Sequence, residues 1–179
     1  MDYFELHVAG LTRQLPICKV NDAITFAAFI MFGDVEITVR AAEELLKKCP
    51  EFDVIVTAEA KGIPLAYEMA RQSGKTYIPA RKAAKLYMHD PIAIEVKSIS
   101  TAVKQTLWLD QADVDIIKGA RVLIADDVIS TGESLKALED LVTQAGGNIV
   151  GKAFVLAEGD ATERDDIIYL GEIPIIQNN

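Results

Sequence analysis

The chain has 179 residues, 50% of them hydrophobic and 25% charged, a length and balance that suit one soluble domain with its own core. Its net charge of −9 argues against a protein that grips nucleic-acid backbones. No apolar run reaches the roughly 18 residues that span a bilayer; residues 24–32 come nearest and are too few.

Met1-Asp2-Tyr3-Phe4-Glu5 carries no basic region, which argues against a signal peptide. Cys18 and Cys49 lack partners at metal-ligand spacing and read as reduced thiols of a cytoplasmic protein. His7 and His89 are too few and too scattered for a zinc site. Phe26, Phe29 and Phe32 recur every third residue, a pattern that is more often core than a platform for stacking on a base. Asp34 predicts a helix cap, followed by Val35, Val39, Ala42 and Leu46 at helical spacing and a stop near Cys49-Pro50. Phe52 to Thr57 predicts a buried strand, Gly62 to Gln72 a helix closed by Ser73-Gly74, and Thr76 to Pro79 a second strand. From Arg81 to about Thr106 no periodicity holds, and Pro91 with Ser98-Ile99-Ser100-Thr101 predicts a loop or mobile hairpin. Arg121 to Ala125 predicts a third strand. Glu133 to Ala145 predicts a helix with Leu135, Leu138, Val142 and Ala145 on one face, ended by Gly146-Gly147. Ile149 to Ala157 and Ile173 to Ile176 complete the strands.

Continuously apolar strands separated by helices imply a parallel sheet covered on both faces. The expected fold is therefore α/β, doubly wound around a mostly parallel sheet. Ligands of such sheets bind at the carboxyl ends of the strands, which draws attention to the loops after Val56, Ile78 and Ala125. The charge is uneven as well. Between Lys61 and Lys104 stand eight basic residues and three acidic ones, a basic island in an acidic chain that suits a small polyanion.

The strongest motif is Val122-Leu123-Ile124-Ala125-Asp126-Asp127-Val128-Ile129-Ser130-Thr131-Gly132-Glu133-Ser134. A buried strand leads into two adjacent carboxylates, then into a hydroxyl- and glycine-bearing turn, then into a helix N-terminus. The helix start offers unpaired N–H groups and a positive dipole end for a phosphate. Ser130, Thr131 and Ser134 add hydroxyl donors, and Gly132 permits the turn. The carboxylates accept hydrogen bonds from vicinal sugar hydroxyls. Phosphate at one end and diol at the other describe ribose 5-phosphate. Thr-Gly-x-Ser alone is equally a capped turn, but the whole string argues against that plainer reading.

This string resembles the 5-phosphoribosyl-1-pyrophosphate (PRPP) motif of type I phosphoribosyltransferases. Two further blocks follow the family's order. Val54 to Gly62, with Glu59-Ala60-Lys61-Gly62, is similar to its pyrophosphate loop in the adenine-specific form. Pro79-Ala80-Arg81-Lys82-Ala83-Ala84-Lys85-Leu86 is similar to an Arg-Lys-x-Gly-Lys-Leu-Pro segment, with Ala84 for glycine and Tyr87 for proline. The resemblance implies one domain, with a small N-terminal hood over about 1–33 and a flexible closing loop over about 83–106. It implies that Asp126 and Asp127 hold the ribose and that Ser130, Thr131, Gly132, Glu133 and Ser134 hold the 5′-phosphate. Pyrophosphate falls to Glu59, Ala60, Lys61, Gly62, Arg81, Lys82 and Lys85, with Asp126, Asp127 and Lys82 the catalytic set. It further implies Mg²⁺ held mainly by PRPP, a non-proline cis peptide between Glu59 and Lys61, a homodimer, and no nucleic-acid or membrane partner.

The base is the open point. Ile17, Phe26 and Glu158 are the candidate base contacts. Leu156-Ala157-Glu158-Gly159-Asp160 offers carboxylates and no lysine, which suits an amino group better than a carbonyl, so adenine is expected. Thr101-Ala102 stands where adenine enzymes carry a Glu-Tyr pair, and Lys104-Gln105-Thr106 is closer to xanthine enzymes. A xanthine or guanine transferase is therefore the alternative. A PRPP-sensing purine regulator is a second alternative, disfavoured by the acidic chain and by the lack of a basic recognition helix ahead of Asp53.

Overall fold

The computed structural model describes residues 2–19, 24–96 and 105–177. Its first strands, β1 (Tyr3–Val8) and β2 (Leu11–Lys19), form an antiparallel hairpin with positive φ at both turn residues, Ala9 and Gly10. That backbone matches the twist a two-residue hairpin turn requires. β3 (Ile24–Ala27) adds to β2 antiparallel. No strand was expected before Phe52, although Phe4, Leu6 and Val8 alternate with Glu5 and His7 and face the core; the signal is short, and in Leu11–Lys19 the alternation fails after Leu15.

The helix α1 (Val35–Lys48) starts where expected, with the Asp34 carboxylate accepting the Ile37 N–H at 3.1 Å. Arg13 of β2 donates to the same carboxylate at 2.6 Å, tying the first sheet to the helix start. The buried face is Ile37, Thr38, Ala41, Ala42 and Leu45, while Val35 is 73% exposed. The stripe read from Val35 and Val39 thus lies beside the true one. Apolar residues occupy both stripes, and only packing chooses between them.

The chain continues through β4 (Val54–Ala58), α2 (Ile63–Ser73), β5 (Thr76–Ala80), the antiparallel pair β6 (Ile92–Val96) and β7 (Gln105–Leu109), α3 (Gln111–Ile117), β8 (Arg121–Ile129), α4 (Glu133–Gln144), β9 (Asn148–Glu158), a 3₁₀ turn (Gly159–Glu163), β10 (Ile168–Ile173) and β11 (Ile175–Gln177), of which β4, β5, β8, β9 and β10 form a parallel sheet. Its strand order is β10-β9-β8-β4-β5, every pair parallel. A second, antiparallel sheet has the order β1-β2-β3-β11.

Three expectations need correction. β8 does not stop at Ala125 but runs to Ile129, paired to β9 throughout, so Asp126 and Asp127 lie within a strand. The terminal strand is two strands, broken at Pro174, which lacks the N–H to continue a ladder. α3 was not expected, since only Ile117 of its seven residues is buried and no period shows in so short a segment. The segment after Arg81, expected as a loop or mobile hairpin, contains the antiparallel pair β6 and β7, and Thr101-Ala102 lies outside the described residues.

Helices cover both faces. Ile37, Leu45, Leu65 and Met69 of α1 and α2 pack with Leu123 and Val155 on one side. Leu135, Leu138 and Leu141 of α4 and Ile117 of α3 pack with Ile124 and Phe154 on the other. Adjacent residues of β8 and β9 thus supply opposite cores, as pleating dictates. Leu123 is wholly buried at this centre. Leu123→Ala is expected to lower the unfolding free energy by about 2–5 kcal/mol, measured by urea denaturation.

Candidate active site

β8 lies in the middle of the parallel sheet and carries Asp126 and Asp127 near its carboxyl end. The Asp127 N–H donates to Asp126 Oδ1 at 2.8 Å. Asp127 is 5% exposed, and its Oδ2 is buried without a hydrogen-bond partner. Such an acceptor is costly unless something else satisfies it. Desolvation, followed by the neighbouring Asp127 charge, pushes the Asp126 carboxyl well above its ordinary value of 3.8. Lys61 pulls in the opposite direction with a smaller effect.

The segment after β4 presses against these carboxylates. The Glu59–Ala60 peptide bond is cis, within the stretch where such a bond was expected. A Cβ on Gly62 would fall 2.1 Å from Thr57 Oγ1 and 2.6 Å from Asp126 Oδ1, so only glycine fits there. Thr57 is itself wholly buried, with a hydroxyl that finds no partner.

Glu59 lines the site cavity and also braces the basic segment beside it. Its Oε2 accepts the Lys82 N–H at 2.9 Å and Arg81 Nε at 3.2 Å, and these two donors hold its carboxyl below the usual range. Arg81 is fixed again by its own backbone, which exchanges hydrogen bonds of 2.9 and 2.8 Å with Trp108, and by Tyr87 Oη at 2.5 Å from Nη1. Glu59 therefore anchors the basic segment beside the cavity.

Two adjoining cavities occupy the carboxyl ends of β4 and β8. One of about 220 Å³ brings Glu59, Ala60, Lys61 and Lys82 together with Asp126 and Asp127. Another of about 140 Å³ is walled by Ser130, Thr131 and Gly132, and Asp126 and Ser134 line both. Gly132 has φ +80° and opens α4, whose first turn has no side-chain cap. The Glu133 N–H donates to Thr131 Oγ1 at a long 3.4 Å, and a helix start of this kind suits an anion. Arg81 pairs with Glu59, and neither it nor Lys85 lines the two cavities, while Glu133 begins the helix.

The base candidates are less close-knit. Ile17 of β2 pairs with Ala27, Phe26 of β3 pairs with Cys18 and Ile175, and Glu158 ends β9 opposite Ile173. The three phenylalanines separate: Phe29 is core and Phe32 is 52% exposed. Two residues were not foreseen. Thr57 follows no spacing rule, and Arg164, whose Nη1 would lie 3.0 Å from a Cβ on Gly132, sits in a charged run that reads as surface.

Comparison with known proteins identifies the family. The phosphoribosyl transferase domain matches residues 33–177, and the chain belongs to the phosphoribosyltransferase family. An adenine phosphoribosyltransferase of Bifidobacterium longum is 36% identical over 159 residues, covering 84% of this chain and 77% of that one. One from Desulforamulus reducens is 31% identical over 151 residues, covering 82% and 81%. The crystal structure of the Thermoanaerobacter pseudethanolicus adenine phosphoribosyltransferase superposes with a TM-score of 0.68 at 26% identity, over 79% of this chain and 84% of that one. The Saccharomyces cerevisiae enzyme shares the fold at 21% identity, with a TM-score of 0.68 over 95% and 92%.

The raised Asp126 carboxyl has a consequence for the free protein. A folded acid that keeps its proton where the unfolded chain has lost it binds more protons in the native state, so stability falls as pH rises above about 3.8. Asp126→Asn removes that loss and keeps the Oδ1 acceptor. Its thermal midpoint is expected to exceed that of the wild type by about 2 °C or more near neutrality, with the gap narrowing toward pH 5. Thermal unfolding across this pH range checks the sign.

Proposed function

We propose that the protein transfers the 5-phosphoribosyl group of PRPP to adenine, giving AMP and pyrophosphate in purine salvage. The observation that carries this reading is the pair of joined cavities, one lined by lysines and one by a hydroxyl-rich helix start, meeting at Asp126. A ligand with a charged group at each end and a diol between them fits that order. The relatives' shared name supports adenine as the acceptor.

In the reaction a purine nitrogen forms a bond to the anomeric carbon as the bond to pyrophosphate breaks. Positive charge grows on the ribose ring and negative charge on the departing pyrophosphate. Asp126 and Asp127 accept from the ribose hydroxyls, an interaction that strengthens as the ring becomes cationic. Lys61 and Lys82, with the amides near Ala60 and Gly62, face the pyrophosphate, and Lys85 and Arg81 reinforce them. Ser130, Thr131 and Ser134, with the N–H groups of Gly132 and Glu133, hold the 5′-phosphate. Residues 83–106 serve as the closing loop that keeps water from the reacting carbon. The hood formed by about residues 1–33 supplies Ile17 and Phe26 to the base, with Glu158 at its amino group.

Mg²⁺ fits this site as a cation carried on the ligand. The acidic residues lining the larger of the two site cavities, Glu59, Asp126 and Asp127, are hard oxygen donors that suit it. When bound, Mg²⁺ neutralises charge on the pyrophosphate oxygens. The reading extends to a cytoplasmic homodimer. Free Cys18 and Cys49 support the compartment, and exposed Val35 and Tyr67 on an apolar cavity of about 360 Å³ support the pairing of copies.

Coupled spectrophotometric assays with PRPP and each purine in turn test the acceptor. Adenine is expected to exceed guanine, hypoxanthine and xanthine in kcat/KM by about 100-fold or more; equal or faster turnover of xanthine would transfer the assignment to the oxopurines. Asp127→Asn is expected to lower kcat by roughly 100-fold while PRPP binding weakens far less, because the lost interaction belongs mainly to the transition state. Steady-state kinetics beside equilibrium binding separate the two.

A further inference from the structure

Arg164 lies beyond the 3₁₀ turn that follows β9, outside every motif that points to the site. Its side chain nevertheless reaches back to the phosphate turn, where Nη1 would lie 3.0 Å from a Cβ placed on Gly132. The guanidinium is not loose. Nε and Nη2 donate to Asp166 Oδ1 and Oδ2 at 2.8 and 2.7 Å, a two-pronged pair that leaves Nη1 outside it. Asp166 is held in turn by Lys152 Nζ at 2.7 Å, and Lys152 by Glu139 of α4 at 2.6 Å. The network therefore closes on the helix that the phosphate turn begins.

In total the four groups are neutral, but their arrangement is not. Asp166 occupies one edge of the guanidinium and the opposite, positive edge faces the turn. The turn itself includes an acidic residue, Glu133, which opposes an anion at the start of α4. A fixed cation beside Gly132 offsets that opposition.

We propose that Arg164 is a further residue of the 5′-phosphate site, held by Asp166 so that its free edge adds positive charge at Gly132. This rests on the reading that Ser130 to Ser134 hold the 5′-phosphate. The phosphate is remote from the reacting carbon, so the contribution is uniform binding and belongs in KM.

Calorimetric titration of the wild type, Arg164→Met and Arg164→Lys with ribose 5-phosphate, and separately with pyrophosphate, tests it. Arg164→Met is expected to bind ribose 5-phosphate about ten-fold more weakly, with pyrophosphate unchanged and Arg164→Lys recovering most of the loss. The difference shrinks as salt is raised, and KM for PRPP rises while kcat holds. Equal ribose 5-phosphate affinity in the methionine variant, or an equal loss of both ligands, would overturn the proposal. A wild type that binds pyrophosphate but no ribose 5-phosphate would instead sink the phosphate assignment of the turn. Should the methionine variant not fold, Asp166→Asn keeps the cation and frees its orientation. Weaker ribose 5-phosphate binding with pyrophosphate unchanged then supports the role, and unchanged binding of both ends it.

Discussion

The approach of the segment after β4 to the carboxylates of β8 governs everything else at the site. At Gly62 the two come so near that one extra carbon would overlap both Thr57 Oγ1 and Asp126 Oδ1. Because β4 and β8 are hydrogen-bonded neighbours in one sheet, their ends cannot drift apart to make room. The sheet thereby holds lysines and carboxylates of separate segments around one cavity. The arrangement puts acidic groups in a poorly solvated place, and the raised Asp126 carboxyl records the cost. A ligand carrying diol hydroxyls and metal-bound oxygens would relieve it.

Around that centre the protein separates rigid from adjustable charge. Glu59, on the cavity wall, accepts from Lys82 and Arg81, so the basic segment is placed before any ligand arrives. Lys61 and Lys82 themselves are exposed, their ammonium groups ready to meet an incoming polyanion. The wider chain is acidic, so this local concentration of positive charge stands out in the surrounding field. At the opposite end of β8, Arg121 makes a paired contact with Asp53 at 2.9 and 3.1 Å, an exposed clasp far from the chemistry.

What could be read from the residues was local and repetitive: continuously apolar Val54 to Val56 and Val122 to Ala125, a capped helix at Asp34, and a glycine-bearing turn ahead of α4. Each is specified by neighbours within a few positions. The N-terminal strands were missed although β1 alternates, with Phe4, Leu6 and Val8 facing in and Tyr3, Glu5 and His7 exposed; its signal spans only six residues, and in β2 the alternation fails after Leu15. The extent of β8 was misjudged for a related reason. Asp126 and Asp127 are poor strand formers, and only pairing with Phe154 and Leu156 of β9 keeps the segment extended. Arg164 and Thr57 were invisible because their importance arises from contacts across the fold, Arg164 standing 32 positions from Gly132 in sequence.

Pro174 divides two strands that serve different sheets. β10 closes the edge of the parallel sheet beside β9, and two residues later β11 completes the antiparallel sheet beside β3. The order of synthesis then matters. β1 to β3 leave the ribosome first, yet their sheet lacks its fourth strand until residues 175–177 have followed. The whole parallel sheet, with the cavities between β4 and β8, is available to fold before that. A chain ending just short of Ile175 would thus hold every strand of the parallel sheet beside an antiparallel sheet with an open edge, so the two halves depend on different stretches of the chain for their completion.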